Sequence, residues 1–162
     1  MGGVALALLM AVHAFASDSI FVQVPGATGS STTAGFIGQI NADSVSWGFR
    51  NNSSIVLAPI VVTKRLDTAS TSLMKAGAAG TALATVTISH VTLGGSGTTS
   101  VAQTTVLTGA RITDYQLVDS EGGGPPLETI TFSATSITFS FVTASATGVV
   151  SKPATATMAP KQ

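Results

Sequence analysis

His90 is the one side chain of the mature-length sequence that could serve as a neutral-pH base, since His13 lies in an N-terminal segment read below as removable. A Ser/His/acid hydrolytic set needs such a base to take the serine proton. His90 sits in the alternating run Thr81 to Leu93, on the parity of Ala84, Val86 and Ile88, which is the parity of packing. The carboxylates are scattered as Asp18, Asp43, Asp67, Asp114, Asp119, Glu121 and Glu128. Only Asp119 and Glu121 are close, and they enter a glycine-rich turn where a solvated role accounts for them. A glycosidase pair assembled from distant acids stays open at this level. Gly94-Gly95-Ser96-Gly97-Thr98-Thr99 has the glycines of a phosphate loop but lacks its lysine and following helix, so it reads as a hairpin turn. Cysteine is absent, which removes thiolate nucleophiles, disulfides and cysteine metal ligands together. No histidine–carboxylate cluster has metal-ligand spacing. The residues point away from an enzyme, and no cofactor or metal is expected.

Binding chemistry is equally sparse. Charged residues make up 9% of the 162-residue chain, with seven basic and seven acidic side chains balancing to zero. An ordinary soluble domain carries about 25%. There is no basic face for nucleic acid and no acidic tail. Disorder is excluded too, because 44% of the residues are apolar. Ser, Thr, Asn and Gly fill the polar positions, a neutral surface that offers copies little mutual repulsion. A rival reading, a monomeric surface β-sandwich that binds sugar, needs exposed aromatics, and the chain has one Trp and one Tyr. Trp47 shares its parity with Val45 and Phe49, which assigns it to the core and leaves Tyr115 as the remaining platform residue.

The elements that must hold these residues are strands. Ile20 to Val24 ends at the turn Pro25-Gly26, and Gly29 to Gly35 is a polar loop. Phe36 to Phe49 alternates, with Ile40, Ala42, Ser44 and Ser46 on one parity and Val45, Trp47 and Phe49 on the other. Residues 51–54 break it as a loop, and Ile55 to Thr63 follows, with Pro59 demanding an edge or bulge. One short helix, Ser70 to Gly77, opens on a cap-competent serine, stops at glycine and presents Leu73, Met74 and Ala76 to the sheet. Val101 to Val118 is a long strand, and Glu128 to Val142 is the last. Its parity switches from Ile130 and Phe132 to Ile137 and Phe139, so it must bend or bulge. Residues 145–162 lose all periodicity and read as a flexible or partner-dependent tail. The expected core includes Trp47, Phe49, Leu73, Met74, Phe132 and Phe139. The fold class is mainly β: a small barrel, or two packed antiparallel sheets, with one flanking helix, over residues 17–144.

The N-terminus carries an address. Val4 to Val12 is an apolar run followed by Ala14-Phe15-Ala16, an A-x-A cleavage pattern with Ser17 as the first mature residue. The run is too short to span a bilayer, which takes about 20 residues. Residues 1–16 are therefore expected to be a signal peptide cut between Ala16 and Ser17, leaving no membrane anchor and a secreted protein. No Lys or Arg precedes the run, and the alternative is an apolar arm retained and packed on a partner.

Element order then becomes informative. Ser46-Trp47-Gly48, Thr63-Lys64 followed by Asp67, Ser70 with Leu73-Met74, and the closing strand Glu128-Thr129-Ile130-Thr131-Phe132-Ser133 appear in the order and spacing of a known family. Over residues 18 to 143 the chain resembles the haemolysin-coregulated protein (Hcp) family, the tube proteins of type VI secretion. The resemblance implies a small barrel with one flanking helix, hexameric rings that stack into tubes, and cargo carried in the lumen. It also implies that Arg50, Asn51, Asn52, Ser53 and Ser54 form a loop reaching toward a neighbouring ring. Ser44 and Ser46, opposite Trp47 in parity, are the candidates for a small neutral lumen lining. The low charge and the Val4–Ala16 segment depart from the family. The favoured reading is an exported subunit that builds extracellular tubes, and the alternative is cytoplasmic assembly with secretion by a contractile machine.

Overall fold

A computed structural model of the protein describes residues 17–93, 99–119, 124–142 and 154–160. The alternating apolar runs form strands in the order β1 (Ser17–Gln23), β2 (Ile40–Ser46), β3 (Phe49–Asn52), β4 (Ser54–Leu57) and β5 (Ile60–Arg65). Helix α1 (Ser70–Ala78) follows, then β6 (Leu83–Leu93), β7 (Thr99–Val118), β8 (Leu127–Ser133), β9 (Ser136–Phe141) and β10 (Ala154–Met158). The main sheet runs β10-β9-β7-β6-β1-β2-β5-β8, and β8 pairs again with β7. That second pairing closes β7-β6-β1-β2-β5-β8 into a barrel and leaves β9 and β10 as an extension. Inward residues of the barrel strands, among them Val22, Ile40, Ile60, Val62, Val86, Ile88, Leu107, Ile130 and Phe132, merge with Ile137 of β9 into one core. β1 is covered on its other face as well, where Phe21 stacks on Phe36 with ring centroids 4.5 Å apart.

The long strand β7 serves two parts of the barrel. Its residues 99–110 pair with β6 and its residues 111–118 with β8. The direction changes at Gly109, which has φ +58° and where an added Cβ would lie 2.6 Å from Thr135 Oγ1. Both the backbone conformation and the close approach demand glycine. On the partner side the expected bend in 128–142 is a break at Ala134-Thr135, which separates β8 from β9. Thr135 anchors it by donating both its N–H and its hydroxyl to Thr108 O, at 2.9 and 2.8 Å. The parity switch is thus the point where the chain turns from one sheet direction to another.

Several boundaries differ from the sequence expectation. The run 36–49 forms a strand only over Ile40–Ser46, with an irregularity between Ala42 and Ser44. The loop expected at 50–54 is instead a two-stranded hairpin, β3 against β4, with Ser53 at its tip in a left-handed conformation, φ 69°. Pro59 ends β4, since it cannot donate to a ladder, and β5 starts anew at Ile60. The helix stop is Gly80 rather than Gly77: Thr81 N–H reaches Ala76 O at 2.9 Å and Gly80 N–H reaches Gly77 O at 3.0 Å. Those are the two bonds of a Schellman ending. Finally, part of the expected tail is structured. Residues 154–158 form β10 against β9, and Met158 closes the core at 9% exposure.

Candidate functional site

Lys64 and Glu128 face each other across β5 and β8, and both are fully buried. The Lys64 ammonium donates to Glu128 Oε2, to Arg65 O at 2.8 Å and to Ser70 Oγ at 3.0 Å, and forms an ion pair with Asp67 Oδ1 at 2.8 Å. Ser70 Oγ also accepts Asp67 N–H at 2.9 Å and donates to Glu128 Oε2 at 2.9 Å. Its hydroxyl is saturated in this way. Tyr115 from β7 donates its phenol to Glu128 Oε1. Burial, and then the hydrogen bond to Glu128, push the Tyr115 ionisation well above the ordinary tyrosine range. Lys64, Glu128 and Asp67 each have a charged or hydrogen-bonding partner in the cluster, which is the condition under which burying charge is tolerable. The cluster ties two strands, the segment after β5, the start of α1 and β7 together. Ser70 therefore acts as a buried hub, not as the helix cap, and Asp67 Oδ1 accepts Ala69 N–H at 2.9 Å in the turn that leads into the helix.

Lys64 and Glu128 were not singled out as site residues from the sequence, yet a signal for them exists. Lys64 continues the inward parity of Ile60 and Val62, and Glu128 that of Ile130 and Phe132. A charge on each of two inward parities forecasts a buried pair. Three of these residues, Lys64, Asp67 and Ser70, and the strand opened by Glu128 are also what carried the family resemblance.

The expected core divides. Leu73 and Phe132 are buried at 0% and 1% exposure. Trp47 and Phe139 are half-buried at the core margin and meet each other with centroids 5.5 Å apart. Phe49 is 50% exposed, because the chain leaves the barrel after Ser46 and Phe49 starts a separate hairpin. Met74 is 37% exposed, because so short a helix buries a single line, Ser70 and Leu73, with Gly77 packed against Ile112. Tyr115 is turned toward Glu128, which removes it as a sugar platform. His90 is half-buried and lines a cleft with Asp18, Gln103 and Phe139; burial lowers its basicity and Asp18 partly restores it. Asp119 is exposed, while Glu121 lies outside the described residues. Ala16 and the rest of the signal segment also lie outside them, and Ser17 begins β1.

What remains at the surface is edges and a projection. Ser44 and Ser46 are exposed on β2, opposite Thr63 and Val61 of β5. β1 pairs with β2 only through Ile40–Ala42, so the other side of 44–46 has no strand partner among the described residues. Residues 111–118 of β7 likewise have β8 on one side and no described strand on the other. The hairpin holding Arg50 to Ser54 stands apart from the main sheet, with Arg50, Asn51, Ser53 and Ser54 exposed and Val56 at 56%.

The family model described as type VI secretion system effector, Hcp, matches residues 21–141. Among solved structures, Hcp1 from Salmonella typhimurium aligns with a TM-score of 0.76 at 19% identity, covering 88% of this chain and 94% of that one. A type VI secretion system effector from Yersinia pestis aligns at 0.74 and 19%, covering 86% and 98%. The secreted protein Hcp3 from Pseudomonas aeruginosa aligns at 0.66 and 20%, covering 91% and 100%. At these identities the structures share a fold with this chain. No curated protein matches its sequence.

Proposed function

The chain belongs to the Hcp family of type VI secretion proteins, and from that premise we propose that it is a structural subunit whose rings stack into a hollow tube. The observation that carries this reading is that the barrel stretch β2-β5-β8-β7 ends, among the described residues, without a further strand partner at Ser44–Ser46 on one side and at residues 111–118 on the other. Unpaired edges present N–H and C=O groups that seek a partner strand. Joining the first edge of one copy to the second edge of the next continues the sheet, and a rotation at each joint closes it into a ring. Six copies would follow the family. The face of this run turned away from the core carries Ser44, Ser46, Thr63, Thr129, Thr131 and Gln116 together with the exposed charges Asp43, Arg65 and Asp114, a polar lining for a lumen that holds cargo. Arg50 to Ser54, at the projecting hairpin, would join ring to ring.

Export through the general secretory route, with cleavage between Ala16 and Ser17, would place the tubes outside the cell. Cleavage there leaves β1 entire. A second reading, the cargo-carrying inner tube of a contractile machine assembled in the cytoplasm, is favoured by the family itself. Assembly is decided by size-exclusion chromatography and negative-stain microscopy of the purified mature protein. Rings and tubes are expected, and a monodisperse monomer at high concentration overturns the proposal.

A further inference from the structure

Side chains of four strands enclose a cleft of about 520 Å³ where β9 extends the sheet beyond the barrel. Asp18 of β1, His90 of β6, Gln103 of β7, and Phe139 and Phe141 of β9 line it. A bulge shapes the cleft. His90 pairs with Gln103 and Val91 with Val101, so Ala102 is the extra residue on β7. Its carbonyl accepts Val142 N–H at 2.9 Å, which holds the bulge in place. Bulges redirect side chains and are frequent beside binding sites. Phe139 and Phe141 form an aromatic wall with ring centroids 5.9 Å apart. The polar groups of the lining are acceptors. Asp18 Oδ1 takes the Thr92 hydroxyl at 3.1 Å, and Oδ2 has no partner among the described residues. Burial lowers the basicity of His90, so at pH 7 its imidazole is neutral and keeps one acceptor nitrogen. Gln103 adds an amide oxygen, and Asp18 is the one charged residue of the lining.

We propose that this cleft binds a small primary amine with an apolar body, its ammonium at Asp18 and its hydrocarbon part on Phe139 and Phe141. The charge decides the sign of the ligand, because an anion would meet Asp18 and no cation in the lining. The acceptors decide the kind of cation. A primary ammonium carries three donors and no acceptor, which matches a carboxylate, a neutral imidazole and an amide oxygen. A quaternary ammonium would leave those acceptors unpaired as it displaced their water, at a cost. The phenyl faces favour a cation as well as an apolar body. The volume lies in the range of small-molecule sites, about 300–1,000 Å³. Neither Ser44–Ser46 nor residues 111–118 contribute to the cleft, so the site goes beyond the tube reading and does not depend on it.

Trp47, the only tryptophan, lies 5.5 Å from Phe139 between ring centroids and so reports on the cleft. Phenethylamine is the probe. It should change Trp47 emission saturably, and calorimetry should show it binding about tenfold more tightly than phenethyl alcohol, as a hydrogen-bonded charge warrants. The alcohol has the same body without the charge, and hydrocinnamate, with the opposite charge, should not bind. Asp18→Asn, at an exposed position, should make the amine and the alcohol bind alike. Phe141→Ala, at a residue 41% exposed, should weaken both. The ligand comparison stands on the unmodified protein, so a variant that fails to fold does not remove the test. Amine and alcohol of equal affinity, an Asp18→Asn variant that keeps the preference, or no amine binding at millimolar concentration overturns the proposal. Tube formation, read separately by microscopy, is untouched by any of these results.

Discussion

At the scale of single residues, the buried pair Lys64–Glu128 is where the molecule is most sensitive. Lys64→Ala leaves Glu128 and Asp67 without their cation in a water-free site, and such losses cost about 3–5 kcal/mol. Urea unfolding of the variant should show that loss, and replacing Lys64 by Met together with Glu128 by Leu should recover only part of it, because Asp67 still lacks its cation and Tyr115 its acceptor. Equal stabilities for Lys64→Ala and the parent would mean that water reaches the cluster. Tyr115 supplies a pH signature. Its folded-state ionisation is raised, so above about pH 10, where the unfolded phenol loses its proton, the folded state still holds one. Its contribution to stability is full below that pH and falls as pH rises further. A Tyr115→Phe variant should lack this alkaline loss in a series of unfolding curves between neutral pH and pH 11. An unchanged slope would assign the effect to other groups.

The hairpin β3–β4 governs behaviour at the scale of elements. Residues 51–54 read as a polar loop because Asn and Ser dominate them, yet Arg50 and Val56 pair across a ladder. Shortening Asn51–Ser54 to a two-residue Asn-Gly turn, which favours a tight hairpin, should leave rings while removing long tubes. Moderate salt should matter little to the unmodified protein, because Arg50 is the one charge in residues 49–57. Tubes of full length from the shortened chain, seen by electron microscopy, would show that stacking does not use the hairpin. Strand β10 teaches the converse lesson. Ala154 to Met158 has no apolar stripe that a sequence reading would trust, yet it pairs with Ile137 to Phe141 of β9 and inserts Met158 into the core.

At the scale of the whole molecule, part of the design is legible in the sequence. Export is its remaining sequence-level prediction: protein recovered from culture medium should begin at Ser17 by mass spectrometry. An assembled protein that starts at Met1 would instead support a retained apolar arm. Local pattern determined the class of fold, because a period-2 alternation of Val, Ile, Thr and Phe can bury one face only as a strand. It also placed Leu73 and Phe132 inside, each on the buried line of its element, and the family followed from short motifs in a fixed order. Contacts between residues far apart in the chain were decided by the tertiary structure alone. Closure of β7 on β8 brings Tyr115 to Glu128 and so turns an apparent platform aromatic inward. Departure of the chain from the barrel after Ser46 puts Phe49 in water, although its parity matches Trp47. The physical reason is the same in each case: alternation fixes which residues share a face of one strand, but pairing with distant strands fixes what covers that face.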